Sequence, residues 1–214
     1  MGKHDSLRRR RARFQPRPRF LIVCEGTVTE PCYFRAARHV ERSLIELEIE
    51  PGSTPKTIVE RAVKLKKQAD RHAKRRADDN LKYDEIWCVF DVDDHRLISE
   101  AKEQAKANGV QVAVSNPCFE LWALLHFQDQ RKHIERSKVQ RLCATHIPGY
   151  KKELSYDLLR SKYSDALQRA EDLEKWHESR STSGENPSTM VHKLIERIRA
   201  HGGPVIPPIR RAAP

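Results

Sequence analysis

The sequence predicts an α/β protein: a four-stranded, mostly parallel sheet flanked by helices, followed by a C-terminal helical extension. Three observations predict it. Short apolar runs at 20–24, 86–90 and 110–114 have the length and the β-branched or aromatic content of buried strands. Segments with apolar residues three and four apart lie between them. Single strands alternating with single helices call for a parallel sheet covered on both faces, with right-handed crossovers.

The elements follow in order. Residues 1–18 carry arginine runs with Pro16 and Pro18, and are expected to be a disordered basic arm. The first strand, 20–24, ends in Glu25-Gly26, where glycine permits a sharp turn or a close backbone approach. Thr29 as N-cap and Pro31 in the first turn open a helix to about Val40, with Phe34 and Ala37 facing inward. In 44–50, Ile45, Leu47 and Ile49 alternate with Glu46, Glu48 and Glu50, the period of a half-exposed strand near a sheet edge. After the turn Pro51-Gly52-Ser53, a long helix over 54–76 places Ile58, Val59, Ala62, Leu65 and Ala69 on one face and lysines and arginines on the other. The third strand, 85–90, runs into Asp91-Val92-Asp93-Asp94. A helix over 96–107 closes at Asn108-Gly109, and the fourth strand is 110–114.

Asn116 then reads as the cap, and Pro117 as the start, of an unusually apolar helix with Glu120 one turn in. His126, six residues after Glu120, falls on a different face and reads as structural. Helices over 137–145 and 156–179 form the extension. Asn186-Pro187-Ser188-Thr189 reads as the capped opening of a last helix with Met190, Leu194, Ile195 and Ile198 on its apolar side. The Pro-rich tail from Gly202 is expected to be disordered. The resulting plan is an arm (1–18), an α/β domain (19–128), a helical extension (129–201) and a tail (202–214).

Composition narrows the function. No stretch approaches the length of a membrane-spanning helix, and the basic N-terminus lacks the apolar core of a secretory signal. The five cysteines form no CxxC pair, which argues against a disulfide framework and against zinc. Cys24, Cys88 and Cys118 sit in or beside apolar runs as buried thiols, and a reducing cytoplasm is the expected location. The net charge is +11, but residues 1–19 hold eight cations against Asp5, and Arg210 and Arg211 add two more. The body between them carries only +2. The arm, with Arg8, Arg9, Arg10, Arg11 and Arg13, is therefore the segment suited to nucleic-acid phosphates.

The chemistry gathers at strand ends. Glu25 follows the first strand, and Asp91, Asp93 and Asp94 follow the third. If extension continues, Asp91 and Asp93 leave on one face and Asp94 on the other. Ligands of open α/β sheets collect beyond the carboxyl ends of the strands. Neighbouring strands lie about 4.8 Å apart, so Glu25 and the aspartates share one cleft if the first and third strands are adjacent. Clustered carboxylates need a compensating cation, and Mg²⁺ (or Mn²⁺) takes oxygen ligands and supports phosphoryl chemistry. The plain alternative is a strand followed by a polar turn.

Two resemblances extend this reading. Residues 20–26, Phe-Leu-Ile-Val-Cys-Glu-Gly, with Val89-Phe-Asp-Val-Asp-Asp94, resemble the Toprim pattern of an acid–glycine pair after the first strand and Asp-x-Asp after the third. Cys24-Glu-Gly-Thr-Val-Thr-Glu-Pro-Cys-Tyr-Phe34, the stretch 84–94, Ser115-Asn-Pro-Cys-Phe-Glu-Leu-Trp122 and Asn186-Pro-Ser-Thr189 together resemble the RloB family. That resemblance implies a Toprim-like (Rossmann-like) nuclease of bacterial anti-phage defence, akin to abortive-infection proteins and encoded beside an RloA-type ABC ATPase. Carried onto this chain, Glu25 becomes a general acid/base and metal ligand, and Asp91 and Asp93 become catalytic Mg²⁺ ligands, with Asp94 a weaker ligand. Glu30, Asn116 and Glu120 are additional site candidates. For a basic site residue the sequence offers Lys56 and Arg96 without deciding between them.

The expected function is metal-dependent hydrolysis of phosphodiesters in DNA or in an RNA such as tRNA. The alternative of a different class is a non-catalytic metal- or nucleic-acid-binding subunit that regulates a partner ATPase. A haloacid-dehalogenase-like phosphatase fits less well: its Asp-x-Asp normally comes early in the chain, and no second downstream acid pair of the expected type follows. No membrane is expected as a partner, and homo-oligomerisation is left open.

Overall fold

In a computed structural model of the chain, which describes residues 17–50, 54–92 and 98–203, five strands form one sheet in the order β2-β1-β3-β4-β5. These are β1 (Arg19–Cys24), β2 (Leu44–Ile49), β3 (Glu85–Asp91), β4 (Gln111–Asn116) and β5 (Ser188–Thr189). The first four are parallel, and β5 is antiparallel to β4. The arm at 1–16, the aspartates at 93 and 94, and the tail beyond 203 lie outside the described residues.

Helices cover both faces because β1 and β3 are apolar on both. Phe20, Ile22 and Cys24 point to one side, toward α1 (Thr29–Glu41), α4 (Glu120–Leu125) and α8 (Val191–Ala200). Leu21 and Val23 point to the other, toward α2 (Pro55–Arg76) and α3 (Ile98–Ala107). The predicted edge position of β2 holds. The long helix starts where its sequence says: Thr54 caps it by accepting from the Thr57 N–H at 3.3 Å, and Pro55 occupies its first turn.

The extension is not an appendage. α5 (Arg136–His146), α6 (Tyr156–Arg160), α7 (Tyr163–Glu178) and α8 supply Val139, Tyr156, Ala166, Leu194 and Ile195 to the same apolar cluster as Phe20 and Trp122. The single helix predicted over 156–179 is broken in two, with Ser161 and Lys162 between α6 and α7. Among the described residues no helix is long and apolar enough to cross a membrane.

Three capping expectations are corrected. α1 begins at Thr29 itself, after Val28, with no side-chain cap. Asn116 does not cap a helix; it ends β4 and pairs with Ser188, and its amide donates to the Gly184 carbonyl at 3.0 Å. The apolar helix starts four residues later, at Glu120. Asn186 is spent on Ile134, donating to its carbonyl at 2.9 Å and accepting from its N–H at 3.0 Å. With that amide engaged, Ser188 and Thr189 become the fifth strand, locked by the Ser115–Thr189 hydroxyl contact at 3.0 Å and by the Met190 N–H donating to the Val114 carbonyl.

Candidate active site

The strand order creates a crevice between β1 and β3. From β1 the chain moves outward to β2 across one face; from β3 it moves to β4 across the other. The loops after β1 and β3 therefore part, and such switch points are where open α/β sheets bind ligands. Glu25 stands directly after β1, and its N–H donates to the Val89 carbonyl, extending the ladder by one residue. Asp91 is the last residue of β3, flanked by β4 through its pairing with Ser115. Both line one cleft of about 330 Å³ with Glu30, Glu120, Arg136 and Lys152.

Glu30 enters the cleft from the first turn of α1 and lies against Gly26. A Cβ at position 26 would collide with its carboxylate, so the bare Gly26 lets the Glu30 side chain lie where it does, and any larger residue there would make that side chain shift. Burial pushes the Glu30 carboxyl up to about 7. A hydrogen bond from its own backbone N–H opposes this, the charges of Glu120 and Glu25 reinforce it, and Arg136 relieves part of it. Glu120 opens α4 and is buried, accepting from Tyr150 Oη at 2.9 Å and Gln140 Nε2 at 3.2 Å.

Arg136, the first residue of α5, donates from its guanidinium to Asp91 Oδ2 at 3.1 Å and to the Pro117 carbonyl at 3.3 Å. With Lys152 it is a basic residue of the cleft, and neither was among the candidates the sequence offered. Lys56 is an exposed residue of the first turn of α2 and does not line the cleft. Arg96 lies outside the described residues. Nothing in the local sequence Glu135-Arg136-Ser137 distinguishes this arginine from the chain's other cations; the packing of α5 on α4 selects it.

The cleft thus gathers Glu25, Asp91, Glu30 and Glu120. Asn116 lies elsewhere, as a tie to the 184 loop. Among the described residues no group of three or more His, Cys, Asp or Glu side chains is already arranged to hold a metal ion. The donor chemistry still fits Mg²⁺, which is commonly held by one or two carboxylates with water and substrate phosphate completing its shell. A second cavity, of about 290 Å³ between α3 and α7, is mainly apolar; its His177 is spent on Thr182 and the Pro187 carbonyl. His126 is buried, bonded to the Trp122 carbonyl and pushed down to about 4 by burial, which is a structural role.

The raised Glu30 value has a measurable consequence. A carboxyl whose folded value lies above its ordinary 4.5 contributes stability that is complete below about 4.5 and is lost as pH rises through about 7. The difference amounts to about 3 kcal/mol at high pH. Glu30→Gln is therefore expected to flatten the decline in urea midpoint between pH 5 and pH 8 in metal-free buffer. Parallel declines in variant and wild type would contradict a buried carboxyl raised to about 7.

Neither curated proteins nor solved structures provide a match to this chain. A family model described as RloB-like protein matches residues 20–198, from β1 through most of α8, and the chain accordingly belongs to the RloB-like family.

Proposed function

We propose that this protein is a metal-dependent nuclease that hydrolyses phosphodiester bonds of DNA or RNA. The observation that supports it most is the meeting of Glu25 and Asp91 at the crevice between two adjacent parallel strands. The acid–glycine pair after β1 and the acids after β3 follow the Toprim pattern, with Asp93 and Asp94 beyond the described residues.

Glu25 and Asp91 would hold Mg²⁺ or Mn²⁺, joined by Asp93 and Asp94. Bound there, the ion supplies neutralisation of phosphate charge and activation of water. Arg136 orients the Asp91 carboxylate and presents a guanidinium suited to a phosphate oxygen. Glu30, poised near neutrality, is the group best able to hold a proton and release it to a leaving oxygen. That carboxyl is buried and lines the cleft. The wider setting we propose is cytoplasmic anti-phage defence alongside an RloA-type ABC ATPase.

The Arg136–Asp91 ion pair favours a second reading. A guanidinium already neutralising Asp91 suits a non-catalytic nucleic-acid-binding subunit that regulates the ATPase.

Incubation with plasmid, single-stranded DNA and tRNA, with Mg²⁺ or Mn²⁺ and with a chelator control, separates the two. Chelator-sensitive cleavage is the expected result. Tight binding without cleavage, alone and with the ATPase and ATP, would favour the regulatory reading.

A further inference from the structure

Away from the cleft, cations collect on the outer face of α1. Arg35, Arg38 and Arg42 follow at intervals of three and four residues, which puts them on one face, about one per turn. With Arg17 and His39 they line a concave surface of about 550 Å³. The Arg17 guanidinium donates to the Arg42 carbonyl, pinning the approach to β1 against the end of α1. Arg17, Arg35 and Arg38 are exposed, and among the described residues none is ion-paired with a carboxylate. The negative end of the helix dipole offsets only part of their mutual repulsion, and only in the last turn.

The direction of this row matters. α1 starts at the cleft, where it delivers Glu30, and runs away from it. Arg35 follows Glu30 by five residues, about one and a half turns, and is the nearest of the row to the cleft end of α1. The row therefore leads from the cleft mouth toward Arg17, where the arginine-rich stretch of the sequence ends. Guanidinium groups at successive turns suit phosphates of one strand, because the planar fork matches phosphate oxygens.

We propose that Arg17, Arg35 and Arg38 form a track for the phosphate backbone of a nucleic acid that enters the cleft. The substrate class rests on the nuclease reading above. The exposed row Lys64, Lys67, Arg71, Lys74 and Arg75 on α2 covers the opposite face of the sheet and provides an internal control.

The test compares R17A/R35A/R38A with K64A/K67A/R71A, each lacking three positive charges, in the full chain. Equilibrium binding to labelled single-stranded DNA, duplex DNA and tRNA is measured against salt, with cleavage assayed in parallel. The track predicts that the slope of log K on log salt shrinks by about 2 on single strands and about 3 on duplex for the first variant. The control should keep the wild-type slope. Single variants R35A and R38A, each expected to remove about 0.7 to 0.9, decide the matter if the triple variant does not fold. Equal loss in both triple variants, or none in the first, overturns the track. So does capture of the protein by anionic vesicles with no binding to any nucleic acid. Cleavage by wild type with unchanged slopes would sink the track and leave the nuclease standing. A slope carried by the arginines with no cleavage, alone and with the ATPase and ATP, would do the reverse.

Discussion

Asp91→Asn is expected to lower metal-dependent cleavage by at least about 100-fold while leaving the folded state within about 1 kcal/mol of wild type. The two effects separate for an electrostatic reason. Asn keeps the shape of the side chain at the end of β3 and can still accept from Arg136. It loses the ion pair with Arg136, but it also removes one negative charge from a cleft that holds Glu25, Glu30 and Glu120. Loss and relief offset each other in stability. They do not offset in chemistry, since a neutral amide is a poor ligand for a hard divalent ion. Cleavage rates measured beside thermal melts check both halves. An Asp91→Asn protein that cleaves normally would remove Asp91 from the reaction; one that fails to fold would make its role structural.

The largest effect on stability is expected from Trp122→Ala, about 3 to 5 kcal/mol. Trp122 is fully buried on α4, with its ring near Tyr163 and His126. Its indole N–H donates to Tyr33 Oη at 2.7 Å, and Tyr33 stacks edge-on against Phe34, Phe119 and Tyr156. Truncation removes the apolar contacts and strands a buried phenol, and those two costs add. For a chain of this size the melting temperature should fall by roughly 10 °C. Trp122→Phe, which keeps most of the volume but not the N–H, should cost less. A loss below about 1 kcal/mol for the alanine variant would mean that α4 is not the centre of this core. The same cluster ties the extension to the sheet, because Tyr156 on α6 also donates to the buried carboxylate of Glu41 at 2.6 Å.

What was legible in the sequence was local. Apolar runs announced three strands because buried parallel strands must be apolar on both faces, and the alternation of Ile45, Leu47 and Ile49 with glutamates announced the half-exposed edge strand. The turn at 51–53 and the apolar spacing of Ile58, Val59, Ala62, Leu65 and Ala69 announced the long helix that became α2, because a helix repeats its buried face every three to four residues. Glu25 and Asp91 were visible as acids at strand ends. Their meeting was conditional, since nothing within either strand says which strand lies beside it. The tertiary structure decided the rest. Strand order placed β1 against β3 and turned two separate acids into one cleft. Asn116 and Asn186 looked like caps because asparagine before proline carries the same local signal in a turn as at a helix start; only long-range partners, Gly184 and Ile134, settled their use. The burial that lifts Glu30 toward neutrality, with the nearby charges of Glu120 and Glu25, arises where distant segments meet in the cleft, not from its place in the chain. Arg136 enters the site from the extension, forty-five residues after the aspartate it holds. A contact at that separation leaves no local trace, because side-chain partners are chosen by packing rather than by sequence distance.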